Sequence, residues 1–137
     1  IQTISVQYSG DGVDNVAQAI AQARQTGAEL ILCTGGMSVD PDDNTPGGIR
    51  KSGARIVTYG APVLPGAMFL LGYFGDGTPV CGLPGCVMYA GATIFDLVLP
   101  RLAAGVELTR ADFAAYGEGG LCFGCPECHW PDCPFGK

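Results

Sequence analysis

The stretch Glu29-Leu-Ile-Leu-Cys-Thr-Gly-Gly36 carries the strongest fold signal of this chain. Its first part is short and almost wholly apolar, which is typical of a strand buried in a parallel sheet. Upstream of it, apolar residues recur at helical spacing over Val13–Gln25, and Gly27 then predicts the end of a helix. Residues 1–6 are rich in β-forming side chains and predict a first strand. Together these segments predict a βαβ unit.

Further elements follow along the chain. Strands are predicted at residues 54–59, 68–73 and 79–81, and helices after Pro46, at residues 86–99 and at residues 109–116. The second and third of these strands form a hairpin around Gly75-Asp-Gly77. Pro100 is expected to end the long apolar helix, and Thr109 to cap the last one. These strands and helices together predict an α/β fold.

The composition excludes several classes of protein. A chain of 137 residues with 47% hydrophobic and 15% charged residues can bury a core, which excludes a disordered protein. The net charge of −6 argues against nucleic acid as a partner, because the few basic residues cannot track a phosphate backbone. No apolar run approaches the ~18 residues of a membrane span, so we expect no membrane partner and a cytoplasmic location.

The loop after the buried strand is the first candidate site. Ligands of open α/β sheets bind outside the carboxyl ends of the strands, and Thr34-Gly-Gly36 would let backbone N–H groups approach a phosphate or carboxylate. Asp40, Asp42 and Asp43 follow closely, and they would repel such an anion unless Mg²⁺ lay between them. Alternatively, the glycines form a tight turn and the aspartates are solvated or cap a helix.

The segment Thr34-Gly-Gly-Met-Ser-Val-Asp-Pro-Asp-Asp-Asn-Thr-Pro46 resembles the TGG-x6-D-x-T-P loop of molybdopterin-binding domains. That family includes molybdopterin adenylyltransferases and molybdopterin molybdotransferases. Asp43 falls on the aspartate of the motif. Pro65-Gly66 and Gly82-Leu-Pro-Gly85 match later segments of the family, and Asp11 takes the place of its other acidic residue. The resemblance covers about residues 1 to 105.

The resemblance implies a molybdopterin-binding domain over residues 1–106 with a three-layer α/β/α fold and a mostly parallel sheet. It also implies a part in molybdenum or tungsten cofactor biosynthesis, by metal insertion or adenylyl transfer. It implies Asp43 and Asp11 as catalytic residues of a transferase, if the chain is an enzyme. The residues implied to hold the pterin are Thr34, Gly35, Gly36, Ser38, Thr45, Pro65, Gly66, Gly82, Leu83, Pro84 and Gly85. The expected ligands are molybdopterin with Mg²⁺, and ATP, molybdate or tungstate as a further substrate.

Two departures from the family pattern lead to further expectations. The first strand of the family and the loop after it have no counterpart, so we expect the domain to be truncated upstream of Ile1. Cys86 follows Gly85, where relatives commonly carry an amide residue and then proline. At a helix N-terminus its thiol pKa would be depressed, although a small buried residue is the simpler interpretation. Cys33 and Cys81 lie in apolar strands and are predicted core residues.

Residues 107–137 are predicted to form a short helix and a metal-binding module. Its four cysteines follow the pattern Cys122-x2-Cys125-x2-Cys128-x4-Cys133. Four thiolates favour zinc or a 4Fe–4S cluster, and the spacing is one residue longer than the ferredoxin run before its final Cys-Pro. It is also similar to the structural zinc lobe of medium-chain alcohol dehydrogenases. Disulfides are disfavoured, because the other cysteines lie in apolar segments of an expected cytoplasmic domain.

The other residues of this tail leave alternatives open. His129 could replace a cysteine as a ligand, but a solvated side chain is the simpler interpretation. Phe123, Trp130 and Phe135 are expected to cover the metal. The whole chain could instead be a non-catalytic carrier or chaperone that docks onto a molybdo- or tungsto-enzyme through the tail, or a redox sensor built on the cysteines. Self-association into a homo-oligomer is a further expectation.

Overall fold

The computed structural model describes residues 1–137. Its helices and strands are α1 Val13–Gln25, β1 Ile31–Thr34, α2 Thr45–Lys51, β2 Arg55–Tyr59, β3 Leu70–Tyr73, β4 Pro79–Leu83, α3 Ile94–Ala103 and α4 Arg110–Ala115. A single 3₁₀ turn covers Gly85–Met88. No helix is long and apolar enough to cross a membrane.

The four strands form one mixed sheet in the order β1-β4-β3-β2. β1 and β4 are parallel, whereas β3 is antiparallel to both β4 and β2. The expectation of a mostly parallel sheet is therefore wrong. The physical reason is the turn between β3 and β4, where the Phe74 N–H bonds to the Thr78 carbonyl at 3.0 Å. So short a connection can only join antiparallel neighbours.

Alternate side chains of the central strands enter two different buried clusters. Leu70 and Val80 belong to a cluster that includes Val16 of α1 and Ile49 of α2. Leu71, Cys81 and their neighbours belong to a second, larger cluster with residues of α3 and α4. The members from these two helices are Ile94, Val98 and Phe113. Residues of α1 and α2 thus pack in one cluster and residues of α3 and α4 in the other, in a mixed α/β architecture.

The N-terminal segment differs from the sequence-based expectation. Residues 1–10 are exposed and form neither a helix nor a strand, and no backbone–backbone hydrogen bond involves them. The predicted strand at residues 1–6 is therefore wrong, and the strand–helix–strand unit lacks its first member. β-Forming residues become a strand only when a neighbouring strand satisfies their N–H and C=O groups.

The predicted helix over residues 86–99 is also wrong. The chain makes only the short 3₁₀ turn there, and α3 begins after Thr93. The start is set by a capping box, in which the Phe95 N–H donates to the Thr93 hydroxyl at 3.1 Å and the Thr93 N–H donates to Asp96 at 2.7 Å. Pro100 lies inside α3 instead of ending it, and costs the helix one N–H donor.

The remaining predicted elements are confirmed. α1 has the predicted bounds, and Gly27 follows its end with φ of 78°, a left-handed conformation that favours glycine. The hairpin, the short helix after Asn44 and the capped helix after Thr109 are present as well. Beyond α4 the chain forms one isolated bridge, between Leu64 and Leu121, and no further helix or strand.

Candidate functional site

The ends of β1 and β4 bring two predicted site segments together. The strands are parallel, and Thr34 at the end of β1 pairs in register with Leu83 at the end of β4. Both strands therefore release their next residues at the same edge of the sheet, which is where ligands of α/β proteins bind. The segments Thr34-Gly-Gly36 and Leu83-Pro-Gly85 are neighbours for this reason.

The glycine pair after β1 shapes the loop. Gly35 and Gly36 have φ angles of 81° and 57°, which L side chains rarely adopt. A Cβ on Gly36 would lie 2.9 Å from Oγ1 of Thr45. That buried hydroxyl donates a 2.8 Å hydrogen bond to the Gly35 carbonyl. Thr45 thus holds the loop against the start of α2. If Thr45 also contacts the pterin as predicted, the same hydroxyl must serve both interactions.

Open space lies beside two of the predicted glycines. A Cβ on Gly35 or on Gly85 would meet no atom within 4 Å, and both residues are exposed, as are Thr34 and Ser38. Backbone N–H groups at these positions can be approached closely by a ligand, because no side chain stands in the way. The exposed surface at the shared edge of β1 and β4 therefore fits a small anionic group.

The Asp43 side chain folds back onto the same loop. Its Oδ2 accepts a 2.6 Å hydrogen bond from the Ser38 N–H, and its own N–H donates to the Asp40 carbonyl at 3.0 Å. No Lys or Arg occurs between Arg24 and Arg50. Because every charged side chain of the loop is negative, an anion bound beside Asp43 would be repelled unless a cation lay between them.

Asp11 lies on the side of the fold where α2 begins. It is exposed and precedes the first residue of α1 by two positions. The first turn of α1 packs on the glycines of α2, since Cβ atoms on Gly47 and Gly48 would come within 3.0 Å of Val13 and 2.4 Å of Val16. The helix that follows Asp11 is thus packed against α2, whose first residue, Thr45, ends the loop.

Several predicted site residues are packed inside instead. Gly82 is buried, and a Cβ there would lie 2.5 Å from Cε of Met37. Gly66 has φ of 117° and would bring a Cβ within 2.5 Å of the Ile94 side chain. The Pro65 carbonyl accepts a 3.1 Å hydrogen bond from the Ile94 N–H. Gly82 thus allows tight packing beneath the loop, and Pro65-Gly66 contacts the start of α3.

Tyr59 is a contact of the loop that the sequence did not indicate. Its hydroxyl donates a 3.3 Å hydrogen bond to the Ser38 carbonyl. Tyr59 also lines a cleft of about 630 Å³ beside β2, together with Arg50 and Arg110. No local pattern could have found this residue, because the hydrogen bond spans 21 positions along the chain.

The three cysteines of the α/β part are not activated thiols. Burial raises the pKa of Cys33 to about 11, and it also raises the pKa of Cys81. Partial burial also raises the pKa of Cys86. The expected depression of the Cys86 pKa is therefore wrong, because no α-helix begins there to stabilise a thiolate.

The cysteine-rich tail encloses a cavity of about 110 Å³. The four tail cysteines are among its lining residues, with His129, Trp130, Phe135 and Gly91. All seven cysteines of the chain are free thiols. No group of three or more His, Cys, Asp or Glu side chains is arranged to hold a metal ion.

These features define a mixed α/β domain with a glycine loop and carboxylates at the shared carboxyl end of two parallel strands, the edge at which ligands of α/β proteins bind. The chain matches the family described as "probable molybdopterin binding domain" over residues 1–104. It belongs to this family, which gives it a role in molybdopterin binding and in the biosynthesis of the molybdenum cofactor. No curated protein matches the chain.

Proposed function

We propose that the chain binds molybdopterin at the shared edge of β1 and β4 and acts on it there as a transferase, by adenylyl transfer or by metal insertion. The register of Thr34 with Leu83 is the observation that supports this most directly, since it places two family segments side by side. We also propose that the α/β part has a three-layer arrangement, with helices on both faces of the sheet.

The predicted site residues hold the ligand in different ways. The backbone N–H groups near Gly35 and Gly85 bind the anionic end of the pterin, because both positions face open space. Thr45 keeps the loop in its left-handed conformation through the bond to the Gly35 carbonyl. Gly82, Gly66 and Pro65 act indirectly, by allowing Met37 and Ile94 to pack beneath and beside the site.

Asp43 and Asp11 supply negative charge to the proposed reaction. The Ser38 N–H occupies Oδ2 of Asp43, so Oδ1 is the oxygen available to a cation or a reacting group. Asp43 and Asp11 would hold Mg²⁺, which would neutralise the phosphate of the pterin and of ATP. The charge of the loop makes such a cation necessary, because no basic side chain lies within it.

A second candidate function is a carrier that holds finished cofactor and docks onto a molybdo- or tungsto-enzyme. An exposed apolar patch favours this alternative. Leu64 and Leu121 are bridged to each other and exposed, and Phe123 is exposed two residues further along. Exposed apolar patches of this kind are typical of interaction surfaces. Cytoplasmic location and self-association stay predictions from the sequence.

The experiment that tests the proposal measures pterin retention and turnover in the same preparation. Anaerobically purified protein is mixed with molybdopterin and passed through gel filtration, and the pterin bound per chain is measured. The complex is then given Mg²⁺ with ATP, or Mg²⁺ with molybdate or tungstate. Retention with turnover is the expected result, and retention without any turnover would establish the carrier. Failure to retain pterin would overturn both.

A further inference from the structure

The tail cysteines are held around one cavity although they are spread over twelve positions. Cys122, Cys125, Cys128 and Cys133 all line the cavity of about 110 Å³. The tail also reaches the α/β part here, because a Cβ on Gly91 would lie 3.1 Å from Sγ of Cys128. Four free thiols therefore surround a single space with an apolar wall.

Both ends of the tail are fastened to the rest of the fold. At its start, the Cys122 N–H donates to the Leu64 carbonyl at 2.8 Å, and the Leu64 N–H donates to the Gly120 carbonyl at 2.6 Å. At its end, Phe135 is buried in the larger core cluster. The cysteine loop is thus closed at its base, which limits how far its thiols can separate.

The middle of the loop has no comparable support. No backbone–backbone hydrogen bond involves residues 123–128, and this segment contains no helix or strand. Backbone hydrogen bonds usually order a loop, and this segment has none within the protein. Ordering such a segment costs conformational entropy, and a metal bound by its thiols is a standard way to offset that cost in small modules.

We propose that Cys122, Cys125, Cys128 and Cys133 bind one four-thiolate metal centre in this cavity, a zinc ion or an iron–sulfur cluster. Each thiol loses its proton to solvent as its sulfur joins the metal. In a tetrahedral zinc site with Zn–S distances of about 2.3 Å, neighbouring sulfurs lie about 3.8 Å apart. The thiols move inward to reach this geometry, and residues 123–128 can follow because no backbone hydrogen bond has to break.

The metal centre has a structural consequence for the neighbouring segment. Cys122 is both a proposed ligand and the hydrogen-bond donor to Leu64, which directly precedes Pro65. Metal binding at Cys122 therefore holds Leu64-Pro-Gly66 against the start of α3, where the Ile94 N–H donates a hydrogen bond to the Pro65 carbonyl. Metal binding itself does not depend on the proposed pterin chemistry.

The test is metal and sulfide analysis of the full chain, purified without oxygen and without added metal. We expect about one zinc per chain in a colourless protein, or about four iron with equal sulfide in a coloured one. Cys125→Ser and Cys128→Ser should each lose most of the metal. Cys86→Ser is the matched control, because Cys86 is a free, partly buried cysteine outside the cavity and its substitution should leave the metal content unchanged.

A second measurement guards against variants that fail to fold. In the unaltered protein, a thiol-alkylating reagent should modify the tail cysteines much faster after treatment with a chelator than before it. Metal-free protein, metal content unchanged in both tail variants, or alkylation that is equally fast before and after the chelator would overturn the proposal. None of these results depends on whether the protein retains pterin, so the two proposals fail separately.

Discussion

Asp43 Oδ2 accepts a 2.6 Å hydrogen bond from the backbone N–H of Ser38. The bond closes the loop after β1 and turns one oxygen of the carboxylate toward the protein. The other oxygen makes no hydrogen bond within the chain. Asp43 can therefore stabilise the loop and still bind a cation, and the two roles are separable because an amide can take over the first but not the second.

Asp43→Asn should separate these two roles. The asparagine keeps an oxygen that can accept from the Ser38 N–H, so the free energy of unfolding should change by less than about 1 kcal/mol. It removes the negative charge, so Mg²⁺-dependent turnover should fall by about two orders of magnitude, while pterin binding persists. Thermal unfolding, pterin retention and turnover of the same preparation are the measurements.

The controls for Asp43 come from the same loop. Asp40 and Asp42 are exposed, and Asp40→Asn and Asp42→Asn should each leave turnover nearly unchanged. If Asp43→Asn keeps full activity and one of the other two abolishes it, the functional carboxylate is that other residue. If none of the three variants matters, the transferase proposal is wrong.

Gly35→Ala and Gly77→Ala form a matched pair that tests the ligand surface. The two glycines have φ angles of 81° and 85° and open space beside them. Both substitutions should therefore cost a similar amount of stability, about 1–2 kcal/mol for a side chain in the left-handed region. Only Gly35→Ala should weaken pterin retention. Equal retention by the two variants would show that the ligand does not approach Gly35.

Gly48→Ala should destabilise the contact between α1 and α2. In an unobstructed helix, Gly→Ala stabilises by roughly 0.5–1 kcal/mol. Here the new Cβ would lie 2.5 Å from Cβ of Val16, which cannot rotate away, so we expect a net loss of about 1–3 kcal/mol in denaturant unfolding. Val16→Ala removes Cγ1, which would lie 2.4 Å from the new Cβ, and should rescue the part of the loss due to that atom in the double variant. A stabilised Gly48→Ala protein would contradict the close packing of these helices.

Asp112 should make the protein sensitive to acid. The Thr109 hydroxyl and N–H, followed by Arg101, hold the pKa of Asp112 below its usual 3.8. Because the pKa is lowered in the folded state, the carboxylate stabilises the fold above pH 3.8, and this stability is lost as the pH falls through the folded pKa. The Tm difference between the unaltered protein and Asp112→Asn should thus be constant near neutral pH and shrink below about pH 4.

The control for this prediction is Glu29→Gln, because Glu29 is exposed and its carboxylate takes part in none of the ion pairs of the chain. Its Tm should differ little from that of the unaltered protein at any pH. A Tm difference for Asp112→Asn that does not change on acidification would show that the charge of this carboxylate does not stabilise the fold through Thr109 and Arg101.

Features set by near neighbours in the chain were predictable from the residues alone. The bounds of α1 follow from helical spacing and Gly27, and the start of α4 follows from Thr109 and Asp112, whose side chains and N–H groups bond to each other. The glycine loop and the family resemblance were predictable in the same way, because the whole motif lies within Thr34–Pro46. In each case the groups concerned lie within one short segment of the chain, so sequence order already places them together.

Features that depend on distant partners were settled only by the folded chain. Residues 1–6 have strand-forming side chains but no partner strand, and α3 begins at Ile94, after its cap Thr93, rather than at Cys86. Gly35 and Gly82 both belong to segments of the family motif, yet one faces open space and the other lies beneath Met37. Local propensity and spacing can be read from the sequence because they do not depend on the fold. Burial and strand pairing depend on contacts between segments far apart in the sequence, which only the folded chain brings together.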